Sequence, residues 1–436
     1  MAASIVFYGA YQPKLLLLLL LSLIINVLAS HAVVHGNPTR RWHYAAIGVI
    51  FNLVVLVSFK YGPLLATTTG LDATSIGHLL VVLPLPLGIS FFTFHGITLL
   101  VDTFRARNTE TPSTVDSNLW IHGLRTSLYF LFFPQLVAGP ITKSRNFYPQ
   151  IVPKTWSDVR LSRCFRQTTL GFFMKIVVAD NLAQQTFWIA YPYFMAKSSA
   201  DLVVMLVGYS MQIFADFAGY SLIALGVAGL FGYRLPENFN SPYLSKSFSE
   251  FWTRWHISLS SFLREYLYVP LGGNRHGSLR TYINLLVVMV LGGLWHGAAW
   301  SFLVWGAAHG FALAIERFVG NHYTPPNTVA IKITRAFGVF LYVSCAWLLF
   351  KLTDFAHVLQ YLRSFAGNWE LENSPGLLPF VLLYSIPVVV WHWAKEFRAS
   401  SRVLRSHRVE PVIYGAMIFL MITNTGTPQD FVYFQF

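Results

Sequence analysis

Charged side chains are scarce in this chain. Asp, Glu, Lys and Arg make up 11% of its 436 residues, whereas 55% of the residues are hydrophobic. A soluble globular domain carries about 25% charged residues. The shortage therefore excludes an ordinary soluble protein, and it predicts an all-α polytopic membrane protein.

Cysteine is almost absent as well. The sequence holds two, Cys164 and Cys345, which lie far apart along the chain. That spacing excludes a disulfide framework, a redox pair and a cysteine-rich metal site. We expect both residues to act as small apolar packing groups.

Acidic residues are fewer than basic ones, which gives a formal net charge of +13. A positive charge can indicate nucleic-acid binding, but no contiguous basic face is visible here. The cations lie in short loops between apolar runs, which is typical of the cytoplasmic loops of membrane proteins. We therefore expect membrane lipid, and no nucleic acid, among the partners.

The apolar runs predict about ten or eleven membrane crossings, because a helix needs roughly 20 apolar residues to span a bilayer. The runs cover residues 15–34, 44–60, 78–101, 120–137, 170–190, 202–231, 282–294, 301–318, 336–352, 377–393 and 412–423. The seventh is too short to cross alone, and prolines and glycines flank it. This pattern predicts broken or re-entrant helices there, and Pro84 with Pro86 predicts a kink in the third run.

Between residues 248 and 310 the otherwise apolar sequence concentrates polar side chains and five tryptophans. His296 lies there in the segment GGLWHG, where glycines on both sides allow a backbone or a thin substrate to approach the imidazole. Imidazole exchanges protons near neutral pH, so His296 is a candidate catalytic base. A buried histidine that binds a backbone carbonyl is the alternative.

His256 lies in the segment FWTRWHISLSS, between aromatic and basic residues. If this segment is one helix, Trp252, His256 and Ser260 share a face, and Trp255 lies beside it. Such a face predicts the lining of a polar pocket. Equally, an aromatic and basic helix such as this one, with Arg254, often lies in the membrane interface.

The turn PLGGNR follows this segment and contains Asn274 and Arg275. Glycine-rich turns can bind phosphate through their backbone donors, so these two residues are candidates for donor binding. The turn lacks the GxxxxGK[ST] pattern, however, and an ordinary cytoplasmic loop is the alternative.

Four further polar residues are predicted to be structural. We expect Asp216 to pair with an arginine of the segment 248–264, because an unpaired carboxylate at membrane depth costs roughly 2.5–3.5 kcal/mol. His309 follows His296 by thirteen residues, which on one straight helix places the two on nearly opposite faces. Arg264 and Glu265 are neighbours of the predicted turn. No spacing demands a metal site, and the serine and cysteine nucleophile motifs are absent.

FWTRWHISLSSFLREYLYVPLGGNR, followed by LGGLWHG forty residues after His256, resembles the membrane-bound O-acyltransferase (MBOAT) superfamily. Further similar segments are LGISFFTFHGITLLVD, FPQLVAGPI, QIFADFAGYS and GYRLPENFNSPY. The bacterial alginate and peptidoglycan O-acetyltransferase membrane subunits are the most similar branch. Some segments, FAGYSL among them, are also similar to the D-alanyl transferase of teichoic acid.

The resemblance implies a ring of helices, with re-entrant or interfacial helices, around a central tunnel. One domain would span residues 1–436, with a signature core at about 205–320. His296 matches the family's essential histidine and His256 its partner. Residues near them become candidates for binding the substrate or the acyl donor: Trp295, Trp252, Arg254, Trp255, Asn274 and Arg275.

We therefore expect an O-acyltransferase in the bacterial cytoplasmic (inner) membrane. It would move acetyl from cytosolic acetyl-CoA, with no further cofactor, toward an exported polysaccharide resembling alginate, cellulose or peptidoglycan. An exoplasmic acetyltransferase or esterase-like partner would complete delivery. The alternatives are D-alanyl transfer to a teichoic-acid-like polymer, a transporter whose broken helices line its path, and a non-catalytic scaffold.

Overall fold

The structure is a computed structural model that describes residues 2–106, 115–323, 325–397 and 409–432. Within these residues every regular element is a helix, and no strand is present. Helices satisfy their backbone hydrogen bonds internally, which hydrocarbon demands of any membrane-spanning segment. The all-α polytopic prediction is confirmed, whereas the ring, the tunnel and the single domain stay predictions.

Seven helices of the described residues are long and apolar enough to cross a membrane. Two shorter apolar helices, Ala2–Tyr11 and Val409–Thr423, accompany them. The seven candidate spans are Pro13–His35, Pro38–Thr69, Ser199–Leu230, Gly277–His296, Trp300–His322, Val329–Lys351 and Leu377–Phe397.

Two sequence predictions about the spans need correction. The seventh run is not a short fragment, because the helix Gly277–His296 begins five residues earlier than the apolar run and contains 20 residues. Gly292 and Gly293 lie inside it and do not break it. The third run is broken outright rather than kinked, because Pro84 and Pro86 separate the helix Ser75–Val82 from the helix Ile89–Ala106.

The described residues form two compact units. The first lies within Met1–Leu161 and Val227–Pro236. Its helices are α1 Ala2–Tyr11, α2 Pro13–His35, α3 Arg41–Leu56, α4 Gly62–Thr69, α5 Ser75–Val82, α6 Ile89–Ala106, α7 Leu119–Leu131, α8 Phe133–Leu136 and α9 Ser144–Phe147.

Polar side chains join the helices of this first unit. Asn26 on α2 and Asn52 on α3 exchange amide hydrogen bonds of 3.2 and 2.9 Å, and both are fully buried. Gly96 on α6 lies against them, and a Cβ there would come within 2.6 Å of both amide oxygens. Interhelical amides and small residues are the usual means by which membrane helices pack.

The second unit covers Ser162–Gly226 and the described residues of Glu237–Phe436. Its helices are α10 Leu161–Phe172, α11 Asp180–Thr186, α12 Ser199–Leu230, α13 Phe248–Arg254, α14 Ile257–Leu263, α15 Gly277–His296, α16 Trp300–His322, α17 Val329–Lys351, α18 Phe355–Gly367, α19 Leu377–Phe397 and α20 Val409–Thr423. The π-helical segment Phe173–Ala179 joins α10 to α11, and the π-helical segment Arg264–Tyr268 follows α14.

Helices α15 and α16 form a tight antiparallel pair. A Cβ on Gly293 would lie 2.9 Å from the Cα of Gly306, and a Cβ on Gly306 would lie 2.3 Å from the carbonyl oxygen of Met289. Glycine at both positions lets the two backbones touch. The pair carries His296 at the end of α15 and His309 on α16.

A buried charge cluster lies elsewhere in the second unit. The Lys175 ammonium is 2.8 Å from the Asp180 carboxylate and 2.9 Å from the Asp216 carboxylate. It also donates a hydrogen bond to the carbonyl of Gln429, and Asp216 accepts one from the backbone N–H of Val432. The prediction that Asp216 pairs with an arginine of 248–264 is therefore wrong.

The physical reason is the packing of α12. A Cβ on Gly219 would lie 2.8 Å from the carbonyl oxygen of Gly171, so α12 and α10 meet closely there. The contact brings Asp216, one turn before Gly219, to the π-helical segment that carries Lys175. The structural role of Asp216 stays a prediction, with Lys175 as its cation.

We predict that Lys175→Met destabilises the protein by about 3–5 kcal/mol, because it leaves two buried carboxylates without their cation. Their side chains are only 5% and 6% exposed. The measurement is the thermal inactivation midpoint in detergent, since membrane proteins often unfold irreversibly.

Lys395→Met is the matched control. Lys395 pairs with Glu237 at 2.8 Å, but the two side chains are 29% and 53% exposed, and exposed pairs contribute about 0–1 kcal/mol. Adding Asp216→Asn to Lys175→Met should recover part of the loss. Equal midpoints for the two lysine variants would contradict the prediction.

Candidate functional site

His256 marks a sharp break between α13 and α14. Its backbone lies in the left-handed region, with φ 42° and ψ 54°, and the preceding Trp255 is extended. A non-glycine residue rarely adopts this conformation unless its surroundings enforce it. The expected continuous helix face of Trp252, His256 and Ser260 is therefore absent, because the helix stops before the histidine.

The chain around this turn is held by the segment that contains Asn238. The backbone carbonyl of Asn238 accepts a hydrogen bond of 3.0 Å from the N–H of Ile257, and its side-chain oxygen accepts one of 3.4 Å from Ser258. The Asn238 amide donates in turn to the hydroxyl of Ser221 on α12. Asn238 is 2% exposed, so a buried asparagine ties the two residues that follow the left-handed His256 to α12.

The His256 imidazole lies in an aromatic environment. Its ring centroid is 4.6 Å from that of Phe217, edge to face, and 5.8 Å from that of Trp295. The residue is fully buried. Burial lowers the pKa of His256 below its ordinary value, so the ring is neutral at pH 7.

His296 is the last residue of α15 and is 4% exposed. Its ring centroid lies 5.0 Å from that of Trp295, 5.1 Å from that of Trp305 and 5.1 Å from that of Phe350. Trp295 thus contacts both His296 and His256. The two histidines predicted from separate segments converge on one indole.

His309 lies on α16 rather than on the helix of His296. The expectation that the two occupy opposite faces of a straight helix fails, because the chain leaves the helix at Gly297 and reverses into α16. Trp305 contacts both rings, with centroid distances of 5.1 Å to His296 and 4.7 Å to His309. Trp252 also contacts His309 at 5.2 Å.

The candidates Arg254 and Trp255 are fixed by the protein itself. Arg254 forms ion pairs of 2.8 Å with Glu250 and with Glu396 on α19. Trp255 is 2% exposed, and its ring packs 5.0 Å from that of Trp347. These contacts anchor α13, and donor binding by either residue stays a prediction.

Asn274 and Arg275 lie in an exposed turn, as expected for a loop. Gly272 and Gly273 give this turn its shape, with φ values of 101° and 57° that favour glycine. Arg264 is exposed at the start of the π-helical segment Arg264–Tyr268, and Glu265 is its second residue. The proposed roles of these residues stay predictions.

Four residues of the site escaped the sequence reasoning: Phe217, Asn238, Trp305 and Phe350. Asn238 lies in the segment GYRLPENFNSPY, and Trp305 is one of the five tryptophans between 248 and 310, so both were near a visible signal. Phe217 and Phe350 are ordinary apolar residues of long helices. No local pattern distinguishes them from residues that face lipid.

No group of three or more His, Cys, Asp or Glu residues suited to hold a metal ion occurs among the described residues. The arrangement instead offers two imidazoles, several indoles and a buried amide. Such a set can accept and return a proton and can donate hydrogen bonds to an uncharged oxygen.

Comparison with known proteins agrees with this chemistry. Residues 89–356 match the model of MBOAT, the membrane-bound O-acyltransferase family. The chain is 34% identical over 424 residues to the probable alginate O-acetylase AlgI of Pseudomonas putida, covering 92% of this chain and 82% of that protein.

Two further relatives are informative. The peptidoglycan O-acetyltransferase of Helicobacter pylori is 35% identical over 395 residues, which covers 84% of this chain and 72% of that protein. The teichoic acid D-alanyltransferase of Bacillus subtilis is 31% identical over 245 residues, or 53% of this chain and 59% of that protein. The chain belongs to the membrane-bound O-acyltransferase family and is a multi-pass membrane O-acyltransferase.

Proposed function

We propose that this O-acyltransferase moves an acetyl group from acetyl-CoA toward the hydroxyls of an exported polysaccharide. The relatives named as O-acetylases match 84–92% of the chain, whereas the D-alanyltransferase of Bacillus subtilis matches 53%. This difference in coverage favours acetyl over D-alanyl. A uronic-acid polymer, a cellulose-like glucan or peptidoglycan would each supply suitable hydroxyls.

The observation that carries the proposal is the convergence of His256 and His296 on Trp295. Acyl transfer to a hydroxyl needs a base to remove the hydroxyl proton and a donor to stabilise the oxyanion. Two buried imidazoles from separate segments can supply both functions. A packing role alone would not require His256 to adopt a left-handed backbone.

In the proposed reaction His296 is the general base. The hydroxyl oxygen of the acceptor attacks the thioester carbonyl carbon, a C–O bond forms, and the C–S bond breaks. The hydroxyl proton passes to His296 and then to the departing sulfur, so the imidazole is restored. A transient acyl-histidine at His296 is the alternative chemical route.

His256 would orient His296 or donate a hydrogen bond to the developing oxyanion. The neutral ring carries one N–H donor, and its left-handed backbone fixes the direction in which the ring leaves the chain. Asn238 acts as a positioning residue in this scheme, since it holds Ile257 and Ser258 on the far side of the turn.

We place the enzyme in the bacterial cytoplasmic membrane, with acetyl-CoA approaching from the cytosol. The loop cations support that orientation, because Lys154 and Arg160 lie in the connection between α9 and α10. An acceptor outside the cell would require an exoplasmic partner protein to complete delivery.

We predict that His296→Ala lowers acetyl transfer by about 10²–10⁴-fold, the usual contribution of a general base. The measurement uses membrane vesicles from cells that carry the variant in the chromosome. Radiolabelled acetyl-CoA is added to the cytosolic face, and label in polysaccharide is counted.

The control is His322→Ala, which alters an exposed histidine at the end of α16 and should leave transfer unchanged. Both variants must accumulate in the membrane at the wild-type level. Full transfer by His296→Ala would end the catalytic assignment. Transfer of labelled D-alanine instead of acetyl would keep the enzyme class and replace the acyl group.

We also predict that Asn238→Ala lowers kcat about 10–100-fold with little change in KM, because a misplaced catalytic group loses transition-state stabilisation. Asn238→Asp keeps the oxygen that accepts from Ser258 and should retain more activity. Asn240→Ala, an exposed neighbour whose backbone contacts Arg254, is the matched control. A raised KM with normal kcat in Asn238→Ala would assign Asn238 to substrate binding instead.

A further inference from the structure

Three aromatic side chains next to His296 contact one another through their rings. The ring centroid of Trp305 lies 4.7 Å from that of His309 and 5.8 Å from that of Trp252. The ring centroids of Trp252 and His309 are 5.2 Å apart. Trp305 also contacts His296 at 5.1 Å. His309 and Trp305 are 0% and 1% exposed.

Their ring nitrogens share an unusual property. The indole nitrogens of Trp252 and Trp305 and both ring nitrogens of His309 are buried, and none has a hydrogen-bond partner among the described residues. A buried donor without an acceptor is costly, because the water it lost on burial is not replaced by another partner. Three such residues in mutual contact therefore represent a substantial cost at one place.

The region satisfies some of its other polar groups, whereas the indole nitrogen of Trp347 is likewise buried without a partner among the described residues. The Tyr342 hydroxyl donates to the carbonyl of Ala308 on α16, and the Tyr243 hydroxyl donates to the carbonyl of Ser210 on α12. The second unit can thus supply acceptors for buried hydroxyls. Uncompensated donors concentrated beside a catalytic candidate indicate a place where a substrate group supplies the acceptor.

The hydrogen-bonding groups of these three side chains determine which kind of substrate group they can bind. Two indoles and one neutral imidazole offer three N–H donors and one acceptor nitrogen. The nearby cation Arg254 is neutralised by Glu250 and Glu396, so it adds no net positive charge for an anion. An uncharged carbonyl oxygen fits such donors better than a carboxylate or a phosphate, whose burial without a counter-charge is costly.

We propose that Trp305, with Trp252 and His309, forms a donor site that binds the carbonyl oxygen of the acyl group being transferred. This inference rests on the proposed function and decides between its two roles for His256: these donors hold the oxyanion, and His256 orients His296. As the hydroxyl attacks, the carbonyl π electrons move onto this oxygen, and the indole N–H groups stabilise the negative charge. The charge returns to the carbonyl when the C–S bond breaks, and the proton held by His296 passes to sulfur.

The test is Trp305→Phe, which removes the N–H and keeps an aromatic ring. We expect kcat for acetyl transfer in native membrane vesicles, with radiolabelled acetyl-CoA as the probe, to fall about 10²-fold. Loss of one oxyanion donor has this size in other enzymes. KM for acetyl-CoA should stay within about threefold, because the interaction strengthens only in the transition state.

Trp347→Phe is the matched control. Trp347 is 1% exposed and stacks on Trp305 at 5.6 Å, and within the described residues its ring contacts neither His296 nor His309. The same loss of ring volume there should leave kcat near the wild-type value. Trp252→Phe provides a second test at a half-buried position and carries the experiment if Trp305→Phe fails to accumulate.

Each other result would overturn the inference. An unchanged kcat in Trp305→Phe and Trp252→Phe would show that their N–H groups are not used. Equal losses in Trp305→Phe and Trp347→Phe would reduce the effect to packing. A raised KM with normal kcat would place the contact on a remote part of the donor.

The proposed function is tested separately by His296→Ala in the same membranes. Loss of acetyl transfer in His296→Ala, together with wild-type transfer in Trp305→Phe and Trp252→Phe, would reject the donor site alone. An active His296→Ala would reject the catalytic base first.

Discussion

The fold depends on one constraint, which is that polar groups inside a membrane must find their partners within the protein. The long helices meet this demand for their own backbones. Where the chain leaves the helical conformation, as it does at His256, the backbone must find other hydrogen-bond partners. Asn238 supplies them by accepting the backbone N–H groups of Ile257 and Ser258 while donating to Ser221. A buried asparagine thus supports the left-handed turn at His256 inside the protein.

The same constraint explains which parts of the structure could be predicted from the sequence. Helix type and approximate extent follow from apolar runs, because lipid-facing residues must be apolar whatever they pack against. Pro84 and Pro86 likewise indicate that the third apolar run is not a regular helix, because proline removes a backbone donor. His256 and His296 were visible because polar side chains are concentrated between residues 248 and 310 of an otherwise apolar sequence. Both His256 and His296 were identified by chemistry that is local to the sequence.

Pairings between distant segments could not be predicted in the same way. The carboxylate of Asp216 in an apolar run predicted a cation partner. No residue near Asp216 in the sequence indicated that this cation is Lys175 rather than an arginine. The choice follows from the contact of Gly171 with Gly219, which is a property of two packed helices. The start of α15 was predicted too late for a separate reason. Arg280 and Thr281 are polar and lie before the apolar run, but they already belong to the helix.

Charge is distributed unevenly within the second unit, and the distribution has a chemical consequence. Lys175, Asp180 and Asp216 neutralise one another in a cluster that holds the backbone of Gln429 and Val432. Arg254 is held by Glu250 and Glu396. The ring contacts of His296 are aromatic instead, with Trp295, Trp305 and Phe350. The ion pairs of the second unit thus hold its backbone and helices together, whereas aromatic rings surround the proposed base.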